Sequence, residues 1–200
     1  MNEPGRLVQL STEHPLWERF FCVFPLVLIG TREPDGSHDL APKHMAMPLS
    51  WQNYFGFVCA ESHATLQNAR RTGVFTVSFL RPAHVLDATL AASPRDAEGH
   101  KPLLRELAVF PASTVDGVLA EGCDRYLECE LERVVEDLGE NTLVIGRVVA
   151  AQVAAEVLRV EDREDSELVH DAPLLAYLHP GRVATIDRSQ GFPFPAGFRR

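Results

Sequence analysis

Three short apolar runs in the first half of the chain predict three β-strands. They cover residues 26–29, 55–60 and 74–80, and they are rich in β-branched and aromatic side chains, as strands are. The intervening residues 31–50 are polar and include an Asp35-Gly36 pair, which is typical of a turn. We therefore predict a long loop between the first two strands.

A short helix is predicted between the second and third strands. Ser62 is the expected N-cap, Leu66 and Ala69 supply a narrow apolar side, and Gly73 is placed to end the helix. The first N–H groups of a helix lack backbone partners and attract anions. This helix start is therefore a candidate phosphate site, although Ser62 and a nearby threonine would also suit a purely capping role.

Three further segments have helical character. Residues 12–21 and 84–92 predict short helices, and residues 102–107 predict one helical turn. Residues 93–99, between the last two, are predicted to form a solvated loop. The region after the third strand is therefore expected to leave the sheet and return to it.

The clearest strand pattern lies in residues 125–132, where apolar and acidic side chains alternate. The side chains expected in the core are Leu127, Cys129 and Leu131, and those expected in water are Glu128, Glu130 and Glu132. Gly139 lies in a turn segment before a second strand at 142–153, so the two predict an antiparallel hairpin. The acid-rich segment 156–171 is predicted to be an exposed connection.

Net charge, cysteine usage and the length of the apolar runs restrict the partners and the compartment expected for this protein. The 200 residues carry a net charge of −9 and no cluster of basic residues, which argues against a nucleic-acid partner. Four cysteines without a C-x-x-C pair favour a reduced, cytoplasmic protein. The N-terminus lacks a signal-peptide pattern, and the longest apolar run, 20–29, is too short to cross a membrane. One domain covering residues 1–200 is expected.

No common catalytic or metal motif is present. The eight histidines form no H-E-x-x-H pattern, so no metal site is predicted. The sequence also lacks the G-x-S-x-G, P-loop and G-x-G-x-x-G patterns of serine hydrolases, nucleoside triphosphatases and dinucleotide-binding folds.

Several weak motifs in a consistent order resemble the flavin reductase family. The central one is T-x-x-N-x-x-x-T-G-x-F-x-V, formed by Thr65, Asn68, Thr72, Gly73, Phe75 and Val77. It is preceded by Asp35-Gly36 and by Leu40-Ala41-Pro42, and it is followed by strand-like segments at 127–131 and 143–148 and a closing segment at 173–182. The resemblance covers residues 24–186.

This resemblance implies a fold and an activity. The expected fold is mainly β with a few helices, a six-stranded antiparallel Greek-key split β-barrel of the FMN-binding type. The expected protein is a homodimeric NAD(P)H-dependent flavin reductase that binds FMN, or alternatively FAD, and can supply a monooxygenase partner. An FMN-binding module without nicotinamide turnover and a ligand-free barrel remain alternatives. The aromatic tail, residues 188–200, packs on its own barrel or on a partner subunit.

The resemblance also assigns candidate residues. Those expected beside the flavin ring are Ala41, Pro42, Lys43, His44, Met45 and Ala46. Those expected at the FMN phosphate are Glu61, Ser62, His63 and Thr65, with Arg70 or Arg71 as charge partners. Asn68 completes the motif and is cofactor-binding or structural, and His179 is the candidate catalytic residue, bordering the nicotinamide pocket. Lys43 is equally well interpreted as a solvated loop lysine. Trp51 and Tyr54 are expected to stack on a ring or to join the core.

Overall fold

The computed structural model describes residues 7–197. The strands in this part of the chain are β1 (Cys22–Pro25), β2 (Val27–Arg32), β3 (His38–Lys43), β4 (Ala46–Ser50), β5 (Tyr54–Ala60), β6 (Val74–Phe79), β7 (Val109–Pro111), β8 (Val118–Ala120), β9 (Arg125–Leu138), β10 (Asn141–Val153), β11 (Leu174–His179) and β12 (Arg182–Ile186). The α-helices are α1 (Ala64–Thr72), α2 (Val85–Ala91) and α3 (Asp165–Asp171). Shorter 3₁₀ turns cover Leu16–Glu18, Pro82–His84, Pro102–Glu106 and Ala155–Val157.

The main sheet is antiparallel and has seven strands in the order β3-β2-β6-β9-β10-β5-β4. The mainly β class and the hairpin of β9 and β10 are confirmed, whereas the sheet has one strand more than the six predicted. The edge strands β3 and β4 are consecutive in the chain and only residues 44–45 separate them. The sheet must therefore curl until its two edges meet at this turn. Within the described residues, β3 and β4 do not form a hydrogen-bonded ladder with each other.

The predicted loop at 31–50 is wrong, because it contains both edge strands. Each of them carries a proline, Pro42 in β3 and Pro48 in β4. Proline lacks the N–H that a central strand must donate, so it is tolerated mainly at sheet edges. Only the turn around Asp35 matches the prediction, where the Ser37 N–H donates to the aspartate carboxylate over 2.9 Å.

Strand β2 is buried on both of its faces, which explains why it is an unbroken apolar run. Val27 and Ile29 belong to a core inside the curl that also contains aromatic side chains of β5 and β6 and Leu66 of α1. Leu28 lies in a second core, under α2, β8 and the 3₁₀ turn Pro102–Glu106. Residues 80–124, between β6 and β9, therefore cover the outer face of the sheet. We call this segment the excursion after β6.

Two predicted features of the chain need correction. Residues 12–21 form only the 3₁₀ turn Leu16–Glu18, which buries no side chain. A helix this short needs an apolar face packed on a core, and here Trp17 and Phe20 stay exposed. Glu128 was expected in water and is instead buried, with 1% of its surface exposed, while Glu130 and Glu132 are exposed as predicted.

A second sheet of three strands, in the order β1-β11-β12, completes the architecture. The acid-rich segment 156–171 is mostly exposed as predicted and contains α3. The described part of the tail, residues 188–197, is exposed on this chain, and its last three residues lie outside the described residues. Within residues 7–197, no helix combines the length and apolarity that a membrane crossing requires.

Candidate functional site

A cavity of about 430 Å³ opens where β3 ends, α1 begins and α2 ends. We call it the β3–α1 cavity. Its lining residues are Asp39, Ala41, Pro42, Lys43, Ser62, His63, Ala64, Thr65, Ala91, Ala92, Arg95 and Lys101. The fold thus brings the two predicted cofactor-binding segments to one place, because β3 and α1 flank the same edge of the curled sheet.

The start of α1 faces this cavity without a side-chain cap. The helix begins at Ala64, and its N-cap is His63, not the predicted Ser62. The N-cap side chain makes no capping hydrogen bond. Thr65 is buried in the first turn. Because no side-chain cap is made, the partial positive charge of the helix start is available to an anion in the cavity.

Lys43 supplies a formal positive charge beside this helix start. Its Nζ lies 3.4 Å from Nδ1 of His63. Burial lowers the pKa of His63, and the nearby charges of Lys43 and Lys101 lower it further. His63 is therefore neutral at pH 7 and can share a hydrogen bond with the lysine. Burial raises the pKa of the neighbouring Cys59 thiol, so this cysteine stays protonated.

The other two cations of the β3–α1 cavity are already paired with carboxylates. Lys101 Nζ lies 2.8 Å from the buried Asp39 carboxylate and also donates to the carbonyls of Leu40 and Ala91. Arg95 contacts both Asp39 and Glu33, at 3.2 and 2.7 Å. Among the lysine and arginine side chains that line the cavity, only Lys43 has no carboxylate partner within the described residues.

Several predicted residues lie outside this cavity lining. Met45 is exposed in the turn between β3 and β4, and Ala46 is buried in the inner core. The exposed Glu61 accepts a hydrogen bond from Gln67 through its backbone carbonyl. Asn68 is buried and its amide donates to Thr31 Oγ1 over 3.3 Å, which is a structural contact.

The two arginines expected to balance a phosphate charge are engaged elsewhere. Arg70 forms an ion pair with Glu136, and Arg71 donates to the carbonyl of Arg32. Both contacts lie toward the C-terminal end of α1, away from the helix start. The structure therefore offers Lys43 in their place.

His44 and His179 meet in a separate aromatic cluster. Their rings stack with centroids 5.3 Å apart, and Tyr177 and Phe24 pack against the ring of His44 at 4.6 and 5.5 Å. Burial lowers the pKa of His44, as do the neighbouring His179 and Lys43. Nδ1 of His179 is buried without a hydrogen-bond partner in the described residues. An unpaired buried nitrogen of this kind is available to a ligand donor.

Five lining residues lie outside the two predicted segments, 41–46 and 61–65: Asp39, Ala91, Ala92, Arg95 and Lys101. The first lies in the segment predicted as a loop, and the other four belong to the excursion after β6. No motif connects that excursion with β3, so only the fold reveals their proximity.

Of the two predicted aromatic residues, Trp51 is 93% exposed and Tyr54 is half-buried. No group of three or more metal-ligating side chains occurs in the part of the chain that the structure describes.

The curled sheet, with a cavity lined by the start of α1 and by Lys43, defines a small, mainly β protein. The chain belongs to the flavin reductase like domain family, whose sequence profile matches residues 21–179. An uncharacterised protein of Methanothermobacter thermautotrophicus is 28% identical over 144 residues, which are 69% of this chain and 67% of that protein.

Solved structures share the fold. Nitrilotriacetate monooxygenase component B from Bacillus cereus superposes with a TM-score of 0.80 at 16% identity, over 94% of this chain and 100% of that one. Flavoredoxin of Desulfovibrio vulgaris gives 0.76 at 20% identity, over 96% and 100%. A flavin reductase-type protein with a split barrel domain from Shewanella frigidimarina gives 0.76 at 16% identity, over 86% and 87%.

Proposed function

We propose that this protein is an FMN-binding flavin reductase that accepts a hydride from NADH or NADPH. Membership of the flavin reductase-like family supports an oxidoreductase that works with flavin. The observation that carries the finer proposal is the β3–α1 cavity, which places an uncapped helix start next to a lysine without a carboxylate partner. Its volume lies within the usual range for a cofactor site.

The residues around the start of α1 suit the phosphate of FMN. The backbone N–H groups of the first turn and the hydroxyls of Ser62 and Thr65 would donate hydrogen bonds to it. Lys43 would supply the countercharge in place of Arg70 or Arg71. Glu61 precedes this group on the exposed turn, where its own charge stays in water.

Ala41 and Pro42 suit the flavin ring, which would lie along the end of β3 toward the turn into β4. Ala41 and Pro42 line the cavity and are small or rigid, so a flat ring can approach the backbone closely. Bound flavin would supply the hydride chemistry, whereas the protein positions the ring and excludes water. No acid or base residue is needed for that step.

The cluster of His44, Tyr177 and His179 suits the nicotinamide. It begins one residue beyond Lys43, and it offers flat rings together with the unpaired Nδ1 of His179. A carboxamide N–H could donate to that nitrogen, which would orient the ring. His179 is accordingly the proposed nicotinamide-contacting residue.

The remaining parts of the proposal concern the whole protein. We propose a single cytoplasmic domain over residues 1–200 that forms a homodimer, with the aromatic tail as an additional packing surface. The name of the Bacillus cereus protein, a monooxygenase component, supports a monooxygenase as the consumer of reduced flavin.

Visible spectroscopy tests this function. The purified protein is mixed with FMN, desalted, and then treated anaerobically with NADH and NADPH. Retained flavin bands that bleach with a nicotinamide support the reductase, and His179→Ala should slow the bleaching while FMN is still retained. Retained bands that never bleach indicate a binding module without turnover. A protein that takes up no flavin contradicts the proposal.

A further inference from the structure

A second, smaller cavity lies directly behind the β3–α1 cavity. It has a volume of about 210 Å³, and we call it the rear cavity. Its lining residues are Glu33, Ser37, His38, Asp39, Arg95, His100, Lys101, Leu104 and Arg105. Asp39, Arg95 and Lys101 line both cavities, so these three side chains form the wall between them. We call them the ion-pair wall.

The ion-pair wall is closed by its own contacts. Asp39 is only 2% exposed and receives a cation on each carboxylate oxygen, Lys101 on one and Arg95 on the other. Lys101 donates hydrogen bonds to the carbonyls of Leu40 and Ala91 and forms an ion pair with Asp39. Arg95 is held from the far side by Glu33. Moving any one of these groups would leave a poorly solvated charge without its partner.

The wall stands near the proposed phosphate end of the site. Arg95 and Lys101 line the β3–α1 cavity together with His63, at the start of α1. A phosphate bound at the helix start would therefore have the wall as its neighbour. A group attached to that phosphate would have to pass the wall to reach the rear cavity.

We propose that the ion-pair wall makes this site selective for a flavin mononucleotide over a flavin dinucleotide, with Arg95 as the specificity-determining residue. This inference rests on the proposed function and names the side chains that select its flavin. FMN ends at the phosphate, so it fits in front of the wall. FAD continues into a second phosphate and an adenosine, and the ion pairs of the wall close the rear cavity to these groups. Arg95 is the side chain whose removal opens the wall, because Lys101 still pairs with Asp39 when Arg95 is absent.

Titration of the full-length protein with FMN and with FAD is the first test. We expect FMN to bind at least about tenfold more tightly than FAD, a difference that shape exclusion in a pocket can supply. If FAD binds as tightly as FMN, the inference is overturned while the proposed function stands. If neither flavin binds, the proposed function itself fails, and the inference fails with it.

The double variant Glu33→Gln with Arg95→Ala is the second test, because it removes one charge of each sign and opens the wall. We expect the ratio of its FAD affinity to its FMN affinity to rise about tenfold over that of the wild type. Adding Ser37→Trp, which fills the rear cavity, should restore the preference for FMN. Arg105→Ala is the control, since that side chain lines the rear cavity outside the wall. A folded double variant with an unchanged ratio of affinities contradicts the role of Arg95.

Discussion

Glu128 is a buried carboxylate that holds a distant loop in place. It accepts hydrogen bonds from the N–H groups of Ser113, Thr114 and Val115 and from the Ser113 hydroxyl, at 2.6–3.0 Å. Burial alone would raise its pKa, but these donors outweigh burial and lower it. The alternation in β9 predicts that Glu128 faces water, because its neighbours in the chain give no indication that a distant loop covers it.

Glu128→Gln should lower the free energy of unfolding at pH 7 by about 1–3 kcal/mol, since buried donors lose a charged acceptor. The folded-state pKa lies below the ordinary value of 4.5. The carboxylate therefore stabilises the fold fully at pH values above 4.5. This contribution is lost as the pH falls through the folded-state pKa. Urea unfolding between pH 7 and pH 3 measures the difference between wild type and variant, which should shrink on acidification.

Glu130→Gln is the matched control for that experiment. Glu130 lies on the same strand, is exposed, and pairs with Arg147 at the surface, where an ion pair contributes about 0–1 kcal/mol. An equal loss of stability in both variants, or a Glu128→Gln loss that does not depend on pH, would show that the hydrogen bonds of Glu128 do not stabilise the fold.

At the scale of elements, helix α1 shows what local sequence can predict. Its apolar side and its closing glycine were both predicted, because each depends on neighbours within the helix. Its first residue was not, because the turn after β5 extends past Ser62 and makes His63 the N-cap. Edge strands β3 and β4 were missed for a related reason, since proline disfavours a strand except at an edge that only the fold defines.

Gly73→Ala should destabilise the protein by about 1 kcal/mol, because an L-residue is strained in the left-handed region. Gly73 ends α1 with φ of 74°, and no atom would crowd an added Cβ, so the cost is conformational. Thermal unfolding measures the effect. Gly191→Ala is the control, because Gly191 has neither a positive φ nor a crowded Cβ. A Gly73 variant as stable as wild type would contradict the assigned helix end.

At the scale of the whole molecule, the site combines predictable and unpredictable parts. The end of β3 and the start of α1 were predicted to meet because a family resemblance connected them. Two side chains of the ion-pair wall, Arg95 and Lys101, come from the excursion after β6 and pair with the buried Asp39 of β3. Contacts between segments so far apart in the chain leave no local pattern, so the sequence did not reveal them.

The proposed dimer can be tested on the exposed apolar surface of β4. Met47 lies on this edge strand and Trp51 directly follows it, and both side chains are exposed. Exposed apolar groups at a sheet edge favour association. We expect the wild type to sediment as a dimer, and Met47→Glu with Trp51→Glu to sediment as a folded monomer. Val160→Glu, at an exposed site in the acid-rich segment, should remain dimeric. A monomeric wild type would contradict this prediction.

Comparing FMN with riboflavin by calorimetric titration tests the central claim most directly, because the two ligands differ only in the phosphate. Lys43→Met keeps the length of the side chain and removes its charge. We predict that this variant loses about 1.5–3 kcal/mol of FMN binding, the usual contribution of a charged hydrogen bond, and binds riboflavin as the wild type does. Arg147→Met, at an exposed surface pair, should change neither. Unchanged FMN affinity in Lys43→Met, or an equal loss for both flavins, would contradict a phosphate site between Lys43 and the start of α1.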